Sequence, residues 1–210
     1  MVSEKVLTNL KKSSWIRAMF EQGQNLRQKY GADNVFDFSL GNPDLEPPVL
    51  VREVLKKTVL SDIPKMHGYM SNAGYPEVRA AVAAKLKQTT GVPVEGSHVI
   101  MQCGAGGAMN VVLKTILNPG DEVIVLAPYF AEYLFYIDNH GGKPVIVEKN
   151  RETFQPDPQK IYDAITPRTK ALIINSPNNP TGVIYSRSSL EAISDAIEKR
   201  QKEFGTVICV

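Results

Sequence analysis

Asn-Ser-Pro-Asn-Asn-Pro-Thr-Gly, at residues 175–182, is the stretch on which the fold prediction depends. It follows the apolar run Ala-Leu-Ile-Ile at residues 171–174, and a short apolar run closed by turn formers is typical of a buried strand. Asn179 precedes a proline, which favours an extended backbone, and its side-chain amide can both donate and accept hydrogen bonds. Because open α/β sheets bind ligands beyond the carboxyl ends of their strands, we expect a binding loop here.

Apolar runs and helical periodicity alternate along most of the chain around this loop. The pattern predicts short strands at residues 99–101, 123–126, 145–147, 171–174 and 206–210, with helices between them. Strands that are apolar on both faces and separated by helices imply a mostly parallel sheet in a three-layer α/β/α fold. Nearer the start, Ser13 and Ser14 are candidate caps of a helix that Gly31 ends.

Composition and charge exclude several classes of protein. The 210 residues are 43% hydrophobic and 22% charged, which is ordinary for a soluble globular protein. A net charge of +2 is too weak to indicate a nucleic-acid or membrane-surface partner, and no apolar run approaches membrane-spanning length. The cysteines, Cys103 and Cys209, lack metal-ligand spacing and suggest no disulfide framework, so we expect no metal site and a cytoplasmic location.

Two further segments carry candidate binding residues. Gly104, Ala105 and Gly106 lie between a predicted strand and a predicted helix, where small residues and free N–H groups favour a phosphate. A nucleotide phosphate would fit such a run equally well. The second segment is Tyr129-Phe130, which follows the second predicted strand and whose rings fit core positions, Tyr129 above all.

Taken together, residues 41–210 resemble the class I/II aminotransferases of fold type I, the aspartate aminotransferase superfamily, which use pyridoxal phosphate (PLP). Residues 179–182 match the Asn-Pro-Thr-Gly motif of that family. The resemblance implies that Asn179 hydrogen-bonds the phenolic oxygen of the cofactor ring and that Phe130 stacks on the ring. It also implies that Gly104, Ala105 and Gly106 hold the phosphate. Many family members have tryptophan or tyrosine at the position of Phe130, so this chain departs mildly there.

The resemblance also implies contacts with the substrate and with a second subunit. Gly41, in a Gly-Asn-Pro-Asp turn, would contact the substrate carboxylate, and Phe130 and Asn179 would line the same substrate site. Tyr69 would reach across a homodimer interface to the cofactor phosphate of the neighbouring subunit. An ordinary turn at Gly41 and a surface-packed ring at Tyr69 are the alternatives.

No catalytic residue of the family is found in this chain. The Schiff-base lysine of the family follows the Asn-Pro-Thr-Gly motif, yet only Lys199 and Lys202 come after Gly182, on the polar face of a predicted helix. We expect that lysine beyond Val210, in a longer enzyme. Residues 1–46 are then an N-terminal arm or small-domain segment, and residues 47–210 the first part of the large PLP-binding domain. The 210-residue chain by itself is predicted to be inactive.

The function predicted by the resemblance is transfer of an α-amino group between an amino acid and a 2-oxo acid. A PLP-dependent lyase or synthase on the same fold is the first alternative. A dinucleotide-binding domain is the second, although residues 104–110 lack the spaced Gly-x-Gly-x-x-Gly pattern. A non-catalytic fragment that needs a complementary chain is the third.

Overall fold

A computed structural model describes residues 2–36, 38, 41 and 45–210, without the side chains of residues 9, 11–18 and 20. The chain divides into two compact units, Met1–Gly68 and Tyr69–Val210. The division falls after Gly68, whereas the predicted domain boundary falls after Glu46. That boundary stays a prediction.

The first unit is helical in its described part. Helix α1 spans Glu4–Tyr30, and the Ser3 hydroxyl caps it by accepting from the Val6 N–H at 3.3 Å. The predicted start at Ser13 was therefore wrong, because Ser3 supplies an earlier cap. Gly31 ends the helix with φ 86°, as predicted, and a 3-10 turn at Ala32–Asn34 follows. Helix α2 spans Val49–Val59, directly after Pro48.

A parallel sheet of three strands forms the centre of the second unit. Its strands are β1 at Glu122–Ala127, β2 at Lys143–Glu148 and β3 at Thr169–Ile173, in the order β2-β1-β3. In the register, Ile124 of β1 lies opposite Val145 of β2 and Leu172 of β3. Every residue of β1 is buried, which fits a central strand covered on both faces.

Helices cover both faces of this sheet. They are α4 at Gly104–Ile116, α5 at Glu132–Asn139, α6 at Pro158–Ala164 and α7 at Arg187–Phe204. Helix α3 at Pro76–Thr90 precedes them and packs against a 3-10 turn at Gly96–His98. One core joins Ile124 and Leu172 to Ile161 of α6 and to Ile193 and Ile197 of α7. A second core, on the other face, joins Val123 and Val125 to Leu113 of α4 and Ile137 of α5. The predicted three-layer α/β/α architecture is confirmed.

Two of the predicted strands do not form as strands of this sheet. At residues 99–101, the Met101 N–H donates to the Ala73 carbonyl at 3.0 Å and the Val99 carbonyl accepts from Arg79 at 2.7 Å. A loop and a side chain thus take the hydrogen bonds that a neighbouring strand would have used. At residues 206–210, pairing is limited to one parallel bridge between Cys209 and Ala171.

Among the helices of the described residues, none has the length and apolar character that crossing a membrane requires.

Candidate active site

The strand order β2-β1-β3 puts a topological switch point between β1 and β3, and we call the region beyond the carboxyl ends of these two strands the crevice. The chain leaves β1 through α5 to reach β2 on one side, then returns through α6 to β3 on the other side. Helices α5 and α6 pack against opposite faces of the sheet. Loops that leave the carboxyl ends of two such adjacent parallel strands diverge, and open α/β sheets bind ligands at this point. The segments that carry Phe130 and Asn179 are the two loops concerned.

Asn178 organises the loop that follows β3. It is 5% exposed, its N–H donates to the Val183 carbonyl at 2.9 Å, and its carbonyl accepts from the Gly182 N–H at 2.6 Å. Its side-chain oxygen also accepts from the Thr181 hydroxyl at 2.8 Å. Gly182 has φ 71°, a backbone conformation that favours glycine. The motif residues therefore close the loop upon themselves.

Asn179 lies exposed on this closed loop. Its backbone N–H donates to the side-chain oxygen of Asn175 at 2.7 Å. No hydrogen bond joins its side-chain amide to another residue in the described part of the chain. The backbone is therefore held while the side chain is available to a ligand.

Phe130 follows β1 on the adjacent loop, and 39% of its surface is exposed. Its ring meets the ring of Tyr133 edge to face, with centroids 5.7 Å apart and an interplanar angle of 81°. An edge contact of this kind leaves a ring face open to another aromatic ring. Tyr129 instead packs against the second core, so its interpretation as a core aromatic is confirmed.

The start of α4 has the features of an anion site. Gly104 has φ 69°, and a Cβ added to it would meet no atom within 4 Å. The N–H groups of Ala105 and Gly106 have no acceptor outside the helix among the described residues, and Cys103 gives no side-chain cap. Open donors at the positive end of a helix suit a phosphate group. These residues thus fit the phosphate of PLP by their chemistry.

Helix α5 connects the glycine run to the aromatic loop. A Cβ added to Gly106 would lie 3.0 Å from the hydroxyl of Tyr136, and Tyr133, one turn earlier on α5, contacts Phe130. Burial raises the pKa of the Tyr133 phenol, and the nearby Tyr136 adds to the shift. Gly106 and Phe130 therefore lie beside neighbouring tyrosines on one face of α5.

Tyr69 and Gly41 are the remaining predicted site residues. Tyr69 is fully exposed at the beginning of the second unit. Gly41 belongs to the first unit and has open space around it, and the rest of its turn, Asn42, Pro43 and Asp44, lies outside the described residues. The roles of both residues stay predictions.

The sequence patterns did not identify two residues that support the loops of the crevice. Asn178 was treated only as a turn former, although it is the buried centre of its loop. Lys149, directly after β2, is 2% exposed and hydrogen-bonds the Pro128 carbonyl and the Tyr185 hydroxyl. A lysine at the end of a strand gives no sequence signal of burial, because such residues are mostly exposed.

Comparisons with known proteins agree with this geometry. The sequence profile of the family Aminotransferase class I and II matches residues 33–202. An aspartate/prephenate aminotransferase of Thermus thermophilus is 40% identical over 168 residues, and the match covers 80% of this chain and 43% of that protein. A probable aspartate/prephenate aminotransferase of Thermus aquaticus is 43% identical, with 81% of this chain and 43% of that protein covered. The chain thus spans less than half the length of these relatives.

Solved structures give the same result. A crystal structure of an amino transferase from Eubacterium rectale superposes with a TM-score of 0.92 at 36% identity, covering 99% of this chain and 53% of that one. An alanine aminotransferase from Pyrococcus furiosus superposes with a TM-score of 0.83 at 29% identity, covering 99% of this chain and 51% of that one.

Proposed function

This chain belongs to the class I and II aminotransferase family, and on that premise we propose that its crevice binds PLP for transfer of an amino group from an amino acid to a 2-oxo acid. The observation that carries the proposal is that an exposed aromatic ring follows β1 and an exposed amide follows the adjacent strand β3. The helix N-terminus with open donors supports it, since Gly106 lies beside Tyr136 of α5. PLP supplies an electron sink for reactions at the α-carbon of an amino acid.

Each part of the crevice has its own task in this proposal. The N–H groups at Ala105 and Gly106, with the open turn at Gly104, bind the phosphate. Phe130 packs against the pyridine ring and excludes water from that face. Asn179 donates its amide N–H to the phenolic oxygen of the ring, and this bond stabilises negative charge there.

The amino-group chemistry belongs to a longer protein in this proposal. Its catalytic lysine lies outside the 210 residues, and the chain by itself is inactive. The names of the relatives favour amino transfer over the lyase or synthase alternative. Aspartate is the first amino donor to assay because two of the relatives are named for it.

We also infer a homodimer in which Tyr69 serves the crevice of the neighbouring subunit and Gly41 contacts the substrate carboxylate. The full exposure of Tyr69 and the open space at Gly41 support these roles. Unpaired thiols at Cys103 and Cys209 support a reducing, cytoplasmic location. Sedimentation of the protein and of its Tyr69→Phe variant, each with PLP, tests the dimer and the shared site together.

Binding of PLP is the direct test of the proposed function. Equilibrium dialysis with absorbance detection measures the affinity of the protein, of Asn179→Ala and of the control Asn139→Ala, which removes an exposed asparagine at the end of α5. Because Asn179→Ala loses one charge-assisted hydrogen bond, we expect it to bind PLP about tenfold or more weakly than the unmodified protein. The control variant should bind PLP with unchanged affinity. Failure of the unmodified protein to bind PLP, or equal binding by Asn179→Ala, would contradict the proposal.

A further inference from the structure

Lys149 is a buried lysine between the two loops of the crevice. Only 2% of its surface is exposed, and its backbone N–H donates to the Ala127 carbonyl at 3.2 Å, which continues the pairing of β1 and β2. Its side-chain nitrogen donates to the Pro128 carbonyl at 3.0 Å and to the Tyr185 hydroxyl at 2.9 Å. The same nitrogen lies 5.3 Å from the centroid of the Tyr185 ring.

A buried amine in this setting is costly to the fold. Removing an ammonium group from water is unfavourable unless a charge or several hydrogen bonds compensate for it. No carboxylate forms an ion pair with Lys149 in the described part of the chain. Burial accordingly lowers the pKa of the Lys149 amine. Its hydrogen bonds to the Pro128 carbonyl and the Tyr185 hydroxyl compensate for part of this cost.

The two hydrogen-bond partners of Lys149 belong to different loops. Pro128 begins the segment that leads from β1 to Phe130. Tyr185 follows the loop that carries Asn179, and its backbone N–H donates to the Ser176 hydroxyl at 2.9 Å. A single side chain therefore links the segment of the stacking ring to the segment of the ring-binding amide.

We propose that Lys149 is a positioning residue, which fixes the separation of the Phe130 and Asn179 loops and so sets the width of the slot for the cofactor ring. This role depends on the proposed function of the crevice. The amine acts through the loops and not on the cofactor, because it is enclosed and both of its acceptors lie within the protein.

The test compares the binding of two ligands by matched variants. Lys149→Met keeps the length of the side chain and removes the amine, while Lys143→Met changes an exposed lysine at the start of β2. Affinities for PLP and for inorganic phosphate are measured by equilibrium dialysis. We expect Lys149→Met to bind PLP at least tenfold more weakly and phosphate as the unmodified protein does, because phosphate needs only the start of α4. Lys143→Met should match the unmodified protein for both ligands.

The outcomes separate this role from a general effect on folding and from the proposed function. A parallel loss of phosphate and PLP binding would indicate a structural role only and overturn the proposal. If Lys149→Met binds PLP with the same affinity as the unmodified protein, the positioning role of Lys149 is overturned. In that case PLP binding by the unmodified protein still supports the proposed function. Failure of the unmodified protein to bind PLP would overturn both proposals.

A second variant and a chemical test complete the experiment. If Lys149→Met does not fold, Tyr185→Phe removes only the acceptor hydroxyl, and we expect it to weaken PLP binding severalfold with phosphate binding unchanged. Borohydride reduction of the protein with PLP, followed by peptide mass mapping, tests the amine directly. A PLP adduct on Lys149 would show that it reacts with the cofactor and would contradict a positioning role.

Discussion

The hydroxyl of Thr181 donates a 2.8 Å hydrogen bond to the side-chain oxygen of Asn178, which is buried at the centre of the loop after β3. Asn179, which follows Asn178, is exposed, and among the described residues only its backbone N–H takes part in a hydrogen bond. Two adjacent asparagines in one motif therefore have separable tasks. Asn178 maintains the loop, and Asn179 is available to the ligand.

This separation predicts unequal effects of two neighbouring substitutions on stability. Asn178→Ala is expected to lower the free energy of unfolding by about 1–3 kcal/mol, since it removes the acceptor of a part-buried hydroxyl. Asn179→Ala should change it by less than about 0.5 kcal/mol, as is usual at exposed positions. Urea unfolding of both variants gives the measurement. Equal destabilisation by the two changes would contradict the assignment.

Phe130 provides a prediction about ring stacking. Phe130→Ala should reduce affinity for PLP by about tenfold, because an aromatic pair contributes about 0.5–1.5 kcal/mol beyond area burial. Phe130→Trp keeps an aromatic face and should bind within about threefold of the unmodified protein. Dialysis measures both variants, and weak binding by the tryptophan variant with full binding by the alanine variant would refute stacking.

Two adjacent glycines of α4 form a matched pair for stability. A Cβ at Gly107 would meet nothing closer than 3.8 Å, so Gly107→Ala should stabilise the protein by about 0.5–1 kcal/mol through helix propensity. A Cβ at Gly106 would lie 3.0 Å from the Tyr136 hydroxyl, so Gly106→Ala should lack this gain.

Removal of the Tyr136 hydroxyl tests whether this group is what prevents the gain in stability at position 106. Gly106→Ala combined with Tyr136→Phe should recover most of the stabilisation, since the next ring atom of Tyr136 is 3.6 Å from the added Cβ. Thermal unfolding of the single and double variants forms the cycle. Additive effects would show that the two side chains do not interfere.

Lys149 predicts a pH dependence of stability. Its folded pKa is lowered from 10.5 by burial, so between the folded value and 10.5 the unfolded chain binds more protons than the folded one. The free energy of unfolding should therefore rise with pH in this window. Below the folded pKa, Lys149 is charged in both states, so the full cost of burying its charge is present and does not change with pH. Burial raises the pKa of the neighbouring Tyr185 phenol, which keeps it neutral there.

Unfolding curves at a series of pH values below 10.5 test this slope. Lys149→Met should lose the rise in stability, and Lys143→Met should keep it because that lysine is exposed. An identical slope in both variants would assign the pH dependence to other groups.

Patterns in the sequence were sufficient to predict the family resemblance and the layered α/β fold. The apolar runs at 123–126, 145–147 and 171–174 mark the three strands because short apolar runs between turn formers favour strands. Burial differs among them, since every residue of β1 is buried whereas Ile146 of β2 is 41% exposed. The same logic failed at residues 99–101, where Ala73 and Arg79 take the backbone hydrogen bonds. Pairing partners far away in the chain decide whether an extended segment becomes a strand.

The contacts that hold the two loops of the crevice together become visible only in the folded protein. Turn chemistry predicted the loop at 175–182, but only packing distinguishes the buried Asn178 from the exposed Asn179. Lys149 looks like an ordinary surface lysine in the sequence, and its partners Pro128 and Tyr185 lie 21 and 36 residues away. Local patterns report the burial that a segment needs, whereas contacts between distant segments exist only after the sheet has brought the ends of its strands together.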